Sequence, residues 1–170
     1  MKRYDTKKLA LCSMLVAIAV TINFISSLFP KMSLTIVAVA SLGTAIALFE
    51  CGYGHAALVY VAASVLSFLI VPDKQCAIFY ALFFGHYPIT KFFVERAGRP
   101  LIVWAAKLLC ANVLIVAVYF LLTRLFTAYE DTVGVGVITG LVISNFAFVL
   151  YDICITRLVM MYISRRLRRR

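Results

Sequence analysis

Residues 80–100 read YALFFGHYPITKFFVERAGRP. The stretch begins as apolar as a membrane span and then admits His86, Pro88 and Lys91 before its apolar residues run out. It is either a working site or the way a short helix leaves a bilayer, and the sequence around it decides which solvent the helix meets. Of 170 residues, 64% are apolar and 14% charged, where soluble domains are roughly half apolar and a quarter charged. A water-soluble fold of this length cannot hide so much apolar surface, whereas lipid accepts helices that are apolar all round.

A helix needs about 20 mostly apolar residues to cross a bilayer. Proline, glycine and charge punctuate the chain into six such runs, 9–29, 33–49, 55–71, 76–94, 101–122 and 135–163, followed by a basic tail at 164–170. The expectation is an all-α protein, a single integral membrane domain over 1–170 built as a six-helix transmembrane bundle. The opening MKRYDTKK has no small-residue cleavage site after the apolar run that follows it, so the first run is read as a retained span.

The formal net charge is +10. The basic residues lie between apolar runs and not along one polar face, which points to topology and anionic lipid headgroups and away from nucleic acid. With the N-terminus inside, the cytoplasmic segments hold Lys2, Arg3, Lys7, Lys8, Lys91, Arg96, Arg99 and the five tail arginines, against Lys31, Lys74 and Arg124 outside. The positive-inside rule therefore predicts a multi-pass protein of the inner (plasma) membrane with both termini cytoplasmic. In that topology the fourth helix runs inward. Lys91 then snorkels to the headgroups, and most of the opening stretch is an exit from the bilayer. His86 is the part least explained by that reading.

Ionisable groups inside spans are costly and need a partner or a purpose. Lys107 lies about 9 Å in from the inner end of the fifth run and Asp152 about 16 Å in from the end of the sixth, at 1.5 Å per residue. A lysine stem covers that difference if the helices touch, and Arg157 competes for the same carboxylate. A charge-paired brace and a transport or proton-relay role both fit. Toward the outer half lie Tyr80, Asn112, Tyr119, Ser144 and Asn145, amides, phenols and a hydroxyl suited either to a small polar ligand or to interhelical hydrogen bonds and interface anchoring. Small residues four apart mark close helix approach: Ser13 and Ala17, Ser41 and Ala45, Gly43 and Ala47, Gly136 and Gly140.

Several chemistries are excluded by residue type. There is no phosphate-binding G-x-x-x-x-G-K-[ST], no H-E-x-x-H and no G-x-S-x-G. Lys91 followed by Arg99-Pro100 imitates the first motif of membrane lipid phosphatases, but the spacing is off by one and the later Pro-Ser-Gly-His is missing. The five cysteines form no C-x-x-C pair and read as small packing residues. The expectation is no enzyme, no catalytic residue, no metal and no cofactor.

Six spans in this length, both termini inside, a small-residue pair in the first helix and no nucleotide site resemble the membrane-embedded substrate-binding (S) component of energy-coupling factor (ECF) transporters, bacterial vitamin-uptake systems. The resemblance is one of architecture over nearly the whole chain. It implies that Ser13 and Ala17, at the positions of that family's Ala-x-x-x-Ala motif, dock a transmembrane coupling subunit, with two cytoplasmic ATPases driving reorientation. It also implies an outward pocket for a small-molecule substrate near Tyr80, Asn112, Tyr119, Ser144 and Asn145. Two other classes remain open: a non-catalytic scaffold similar to the MreD-type protein of cell-envelope complexes, and a small oligomeric ion-coupled carrier, against which stands the lack of an inverted repeat.

Overall fold

The computed structural model describes residues 3–95, 100–125 and 135–167. The described residues are helical, with no strand among them. The helices are α1 (Arg3–Leu28), α2 (Ser33–Ala40), α3 (Leu42–Cys51), α4 (Tyr53–Ile70), α5 (Lys74–Phe79), α6 (Tyr87–Glu95), α7 (Pro100–Leu125) and α8 (Val135–Leu167). Each of the six apolar runs of the sequence coincides with helix. Among the described residues, five stretches are long and apolar enough to cross a membrane: Thr6–Leu28, Ser33–Cys51, Tyr53–Ile70, Lys74–Glu95 and Val142–Tyr162. In α7 the apolar stretch among the described residues runs over Val103–Val118.

The breaks between helices have local causes. Pro30 ends α1 and opens a single 3-10 turn, Pro30–Met32, because its ring blocks continuation of the preceding helix. Gly52 separates α3 from α4 at φ 91°, a left-handed conformation that a Cβ would strain. Val71 is extended ahead of Pro72, as the residue before proline prefers. Asp73 then caps α5, its Oδ1 accepting from Gln75 N at 2.9 Å. Lys74 turns back to close α4, donating to the carbonyls of Phe68 at 2.7 Å and Val71 at 3.1 Å. A cation at a helix C-terminus is favoured by the dipole. Hydroxyls within α1 bond carbonyls one turn back, as with Ser13 to Ala10 O and Thr21 to Ala17 O, so they cost little in an apolar solvent.

The chain divides into a first unit, Met1–Lys107, and a second, Leu108–Arg170. The first is cored by two clusters. Cys12, Leu15, Ala47, Leu48, Cys51, Ala56, Val59 and Ile89 pack toward the Gly52 end. Ala19, Val20, Val37, Ala40, Ala63, Val71, Cys76 and Tyr80 pack toward the Val71 end. Small side chains set the spacing. Ser41, Ala45 and Ala47 are fully buried, and a Cβ on Gly43 would stand 3.3 Å from Leu15 O of α1. The small residues of α2 and α3 therefore serve packing within the unit, where backbones meet. Gly136 and Gly140 have side positions outside the described residues.

Large apolar side chains cover the outside: Leu58, Val65 and Leu69 on α4, Leu109 and Val113 on α7, Ile143 and Phe146 on α8 are all exposed. So continuous an apolar exterior requires lipid as the solvent. This is a helical membrane protein. Of the cysteines expected in packing roles, Cys12, Cys51 and Cys76 are buried, while Cys110 and Cys154 are exposed on that surface.

Candidate functional site

The opening stretch contains the one irregularity in the fourth span. Between α5 and α6 the backbone takes a π turn, Tyr80–Phe84, with Gly85 N bonded to Tyr80 O at 2.7 Å. One extra residue is thus inserted into the turn, three residues before Pro88, which has no N–H to offer the carbonyl of Phe84. Single π turns inside helices recur at functional sites. Gly85 is required by space: an added Cβ would lie 2.8 Å from Tyr80 O and 2.9 Å from the Tyr60 ring. Tyr60 of α4 donates its hydroxyl to Ala81 O at 2.8 Å, and the His86 ring lies against the same carbonyl with its centroid 6.1 Å from that of Tyr60. His86 thus sits beside the π turn, next to Tyr60. Tyr80 is fully buried, its hydroxyl 3.4 Å from that of Thr44 on α3.

Lys91 departs from the expected snorkelling position. It is 7% exposed and its Nζ lies 3.2 Å from Glu95 Oε1, one turn along α6. The same oxygen accepts from Lys107 Nζ at 2.7 Å, and Lys107 also stands over the Trp104 ring, 5.4 Å from its centroid. Two buried ammonium groups thus converge on one half-exposed carboxylate. Glu95 was not singled out from sequence, although its i,i+4 spacing from Lys91 is the arrangement in which helical ion pairs form. Lys107 belongs to the first unit and Asp152 to the second, where Asp152 is buried and its backbone carbonyl takes the Thr156 hydroxyl at 2.7 Å. Arg157 is exposed on α8.

Within the second unit, Asn112 of α7 and Asn145 of α8 are bonded to each other. Asn112 Nδ2 donates to Asn145 Oδ1 at 3.1 Å, and Asn145 Nδ2 donates to Asn112 Oδ1 at 2.9 Å. Asn112 also donates to Leu108 O at 2.9 Å. The two amides read from sequence as ligand groups are thus brought together as an interhelical pair. Ser144, half-buried, neighbours Asn145 on α8. The Tyr119 side chain lies outside the described residues. Tyr80 belongs to the first unit, so the five residues fall in both.

Reciprocal amide pairs in lipid contribute about 1 kcal/mol, with an upper end near 2. Asn112→Ala and Asn145→Ala should each destabilise the protein, and the double variant should lose less than the sum. Equilibrium unfolding in mixed micelles checks this. Additive losses would mean that the two amides act separately.

At the Val71 end of the first unit, Asn23 donates from Nδ2 to Ser67 Oγ at 2.9 Å, and Ser26 donates to Asn23 O at 2.6 Å. All three are fully buried. Ser13 and Ala17 of α1 are both exposed, on the side away from Cys12, Leu15 and Ala19. Among the described residues, no three His, Cys, Asp or Glu side chains group as a metal site. Compared with known protein families, curated proteins and solved structures, the chain matches none.

Proposed function

We propose that the protein is the membrane-embedded substrate-binding component of an ECF-type uptake transporter, crossing the inner membrane six times with both termini cytoplasmic and capturing a small nutrient such as a vitamin from outside. The observation that supports this reading is the outward direction of Ser13 and Ala17. The small residues of α2 and α3 are accounted for by packing inside the first unit. Those of α1 are not, and they leave a shallow strip where another transmembrane helix can approach closely. In this reading the coupling subunit docks there and two cytoplasmic ATPases supply the energy. A solute bound at Asn112 and Asn145 exchanges their mutual hydrogen bonds for bonds to itself, so a polar ligand replaces one satisfied arrangement with another.

Ala17→Leu should abolish association with a coexpressed coupling subunit and its ATPases, while shifting stability by no more than about 0.5 kcal/mol, as exposed sites do. Affinity copurification and a thermal melt check the two halves, and native mass spectrometry of the wild-type protein should find a bound small molecule. Unimpaired association of Ala17→Leu would remove the docking role. A wild type with neither ligand nor ATPase partners would overturn the function.

A second reading, a non-catalytic scaffold similar to MreD, draws support from the pairing of Asn112 with Asn145 and the burial of Tyr80, since groups engaged with each other hold a bundle together without any solute. Copurification with cell-envelope proteins, and no solute, would favour it.

A further inference from the structure

Cys12 of α1 and Cys51 of α3 are free thiols, buried in the same cluster at the Gly52 end of the first unit. The Cys12 thiol is hydrogen-bonded to that of Cys51. The Cys51 sulfur also reaches Lys8 O at 3.8 Å. Lys8 stands four residues before Cys12, so within α1 this carbonyl accepts from the Cys12 N–H. The Cys12 Cβ tilts back toward the same turn. The last side chain of α3 is therefore set against the turn of α1 from which Cys12 projects.

A second contact holds the two helices at this spacing. Gly43 of α3 lies so near α1 that an added Cβ would stand 3.3 Å from Leu15 O. The Lys8–Cys51 and Leu15–Gly43 contacts run in opposite directions along the two helices, so α1 and α3 are antiparallel and stay close over about two turns. Access comes from the helix end. Cys51 is the last residue of α3, and the exposed residues Tyr53 and Gly54 follow it after Gly52. The other cysteines lie elsewhere: Cys76 donates to Asp73 Oδ2 at 3.1 Å at the Val71 end, and Cys110 and Cys154 belong to the second unit.

We propose that Cys12 and Cys51 are a modification site, where oxidation by hydrogen peroxide joins them in a reversible disulfide that pins α1 to α3. Burial excludes large or charged reagents, so the oxidant is a small neutral one. The Cys51 sulfur attacks one peroxide oxygen and the O–O bond breaks. The thiol proton leaves with the departing hydroxide as water, and a sulfenic acid remains. The Cys12 sulfur then attacks the sulfenic sulfur: the S–S bond forms, the S–O bond breaks, and hydroxide departs with the Cys12 proton as a second water. Two thiols have lost two electrons and two protons, and one hydrogen peroxide has become two waters. The S–S bond is about 2.05 Å long, and the paired thiols begin that approach already facing each other. Exchange with an added dithiol reverses the link. The assignment is independent of the uptake reading.

The test takes the full reduced chain in lipid nanodiscs, treats it with hydrogen peroxide, then denatures, alkylates and digests it for mass spectrometry. A linked pair of peptides carrying Cys12 and Cys51, lighter than the free peptides by two hydrogens, is expected, and dithiothreitol should restore both thiols. Recovery of Cys12 and Cys51 as free thiols, as separate sulfinic acids, or in links to other cysteines would overturn the proposal. This measurement needs no variant. The link closes the loop through α1, α2 and α3 in the unfolded chain, so oxidation should raise the melting temperature of the wild type by several degrees. Cys51→Ser should show no such rise. A wild type that does not rise, or a variant that rises as much, would overturn the pinning of α1 to α3.

Discussion

Gly85→Ala is expected to destabilise the protein by about 2 kcal/mol, although the same change in an ordinary helix stabilises by about 1 kcal/mol. The sign is decided by space. The new methyl would stand 2.8 Å from Tyr80 O and 2.9 Å from the Tyr60 ring, and the first of these atoms is backbone already bonded to Gly85 N at 2.7 Å. Backbone cannot step aside without opening the π turn, and the ring cannot move without releasing its hydrogen bond to Ala81 O. Gly85→Val, with two more methyl groups, should be worse. Trimming Tyr60 to leucine in the Gly85→Ala background should recover only part of the loss, because the clash with the carbonyl stays. Thermal and chemical unfolding in detergent measures all three. A neutral or stabilising Gly85→Ala would mean that the fourth span does not pass this closely to α4.

Glu95→Gln is expected to cost about 2–3 kcal/mol. Breaking a buried ion pair by removing one partner costs about 3–5 kcal/mol, because the remaining charge stays in low dielectric. Glu95 is 45% exposed on its side chain, so solvent screening reduces the figure. Against that reduction stands the sharing: one carboxylate oxygen serves both Lys91, at 3.2 Å, and Lys107, at 2.7 Å. Glu95→Gln combined with Lys107→Met should cost less than the sum of the two single changes, which isolates their coupling. Glu95→Asp, one methylene shorter, should keep one lysine and release the other, for an intermediate effect. Unfolding free energies in mixed micelles give the comparison, and a Glu95→Gln protein as stable as the wild type would show that the lysines do not depend on this oxygen.

The helices were legible because the features that end them are local. Pro30, Gly52, Pro72 and Pro100 stand at or beside observed helix ends, and each acts through its own ring or missing Cβ. The π turn was not legible: it has no residue signature, and its causes are a tyrosine on another helix and a glycine that reads in sequence as ordinary. Lys91 was misplaced for a related reason. Hydropathy treats a lysine near the end of an apolar run as a boundary marker, whereas here its Glu95 partner holds it inside. The two asparagines read from sequence only as members of a group with Tyr80, Tyr119 and Ser144, suited to a ligand or to interhelical bonds, and their choice of each other depends on the rotation of α7 against α8, which neither helix alone encodes. Ser13 and Ala17 were found by spacing, and only the fold distinguishes their outward direction from the inward one of Gly43 and Ala47.

The fixed ends of α4 bear on the thickness of the bilayer around it. The helix has 18 residues and so covers about 27 Å, against a hydrocarbon layer of about 30 Å. Gly52 in its left-handed conformation and Val71-Pro72 stop it at both limits, so it cannot lengthen. A shortfall of that size is met by local thinning of the bilayer or by flanking side chains, at fractions of a kcal/mol per Å. Shorter-chain lipids are expected to relieve that shortfall, so the melting temperature of the protein should be higher in bilayers of shorter-chain lipid than in longer-chain ones.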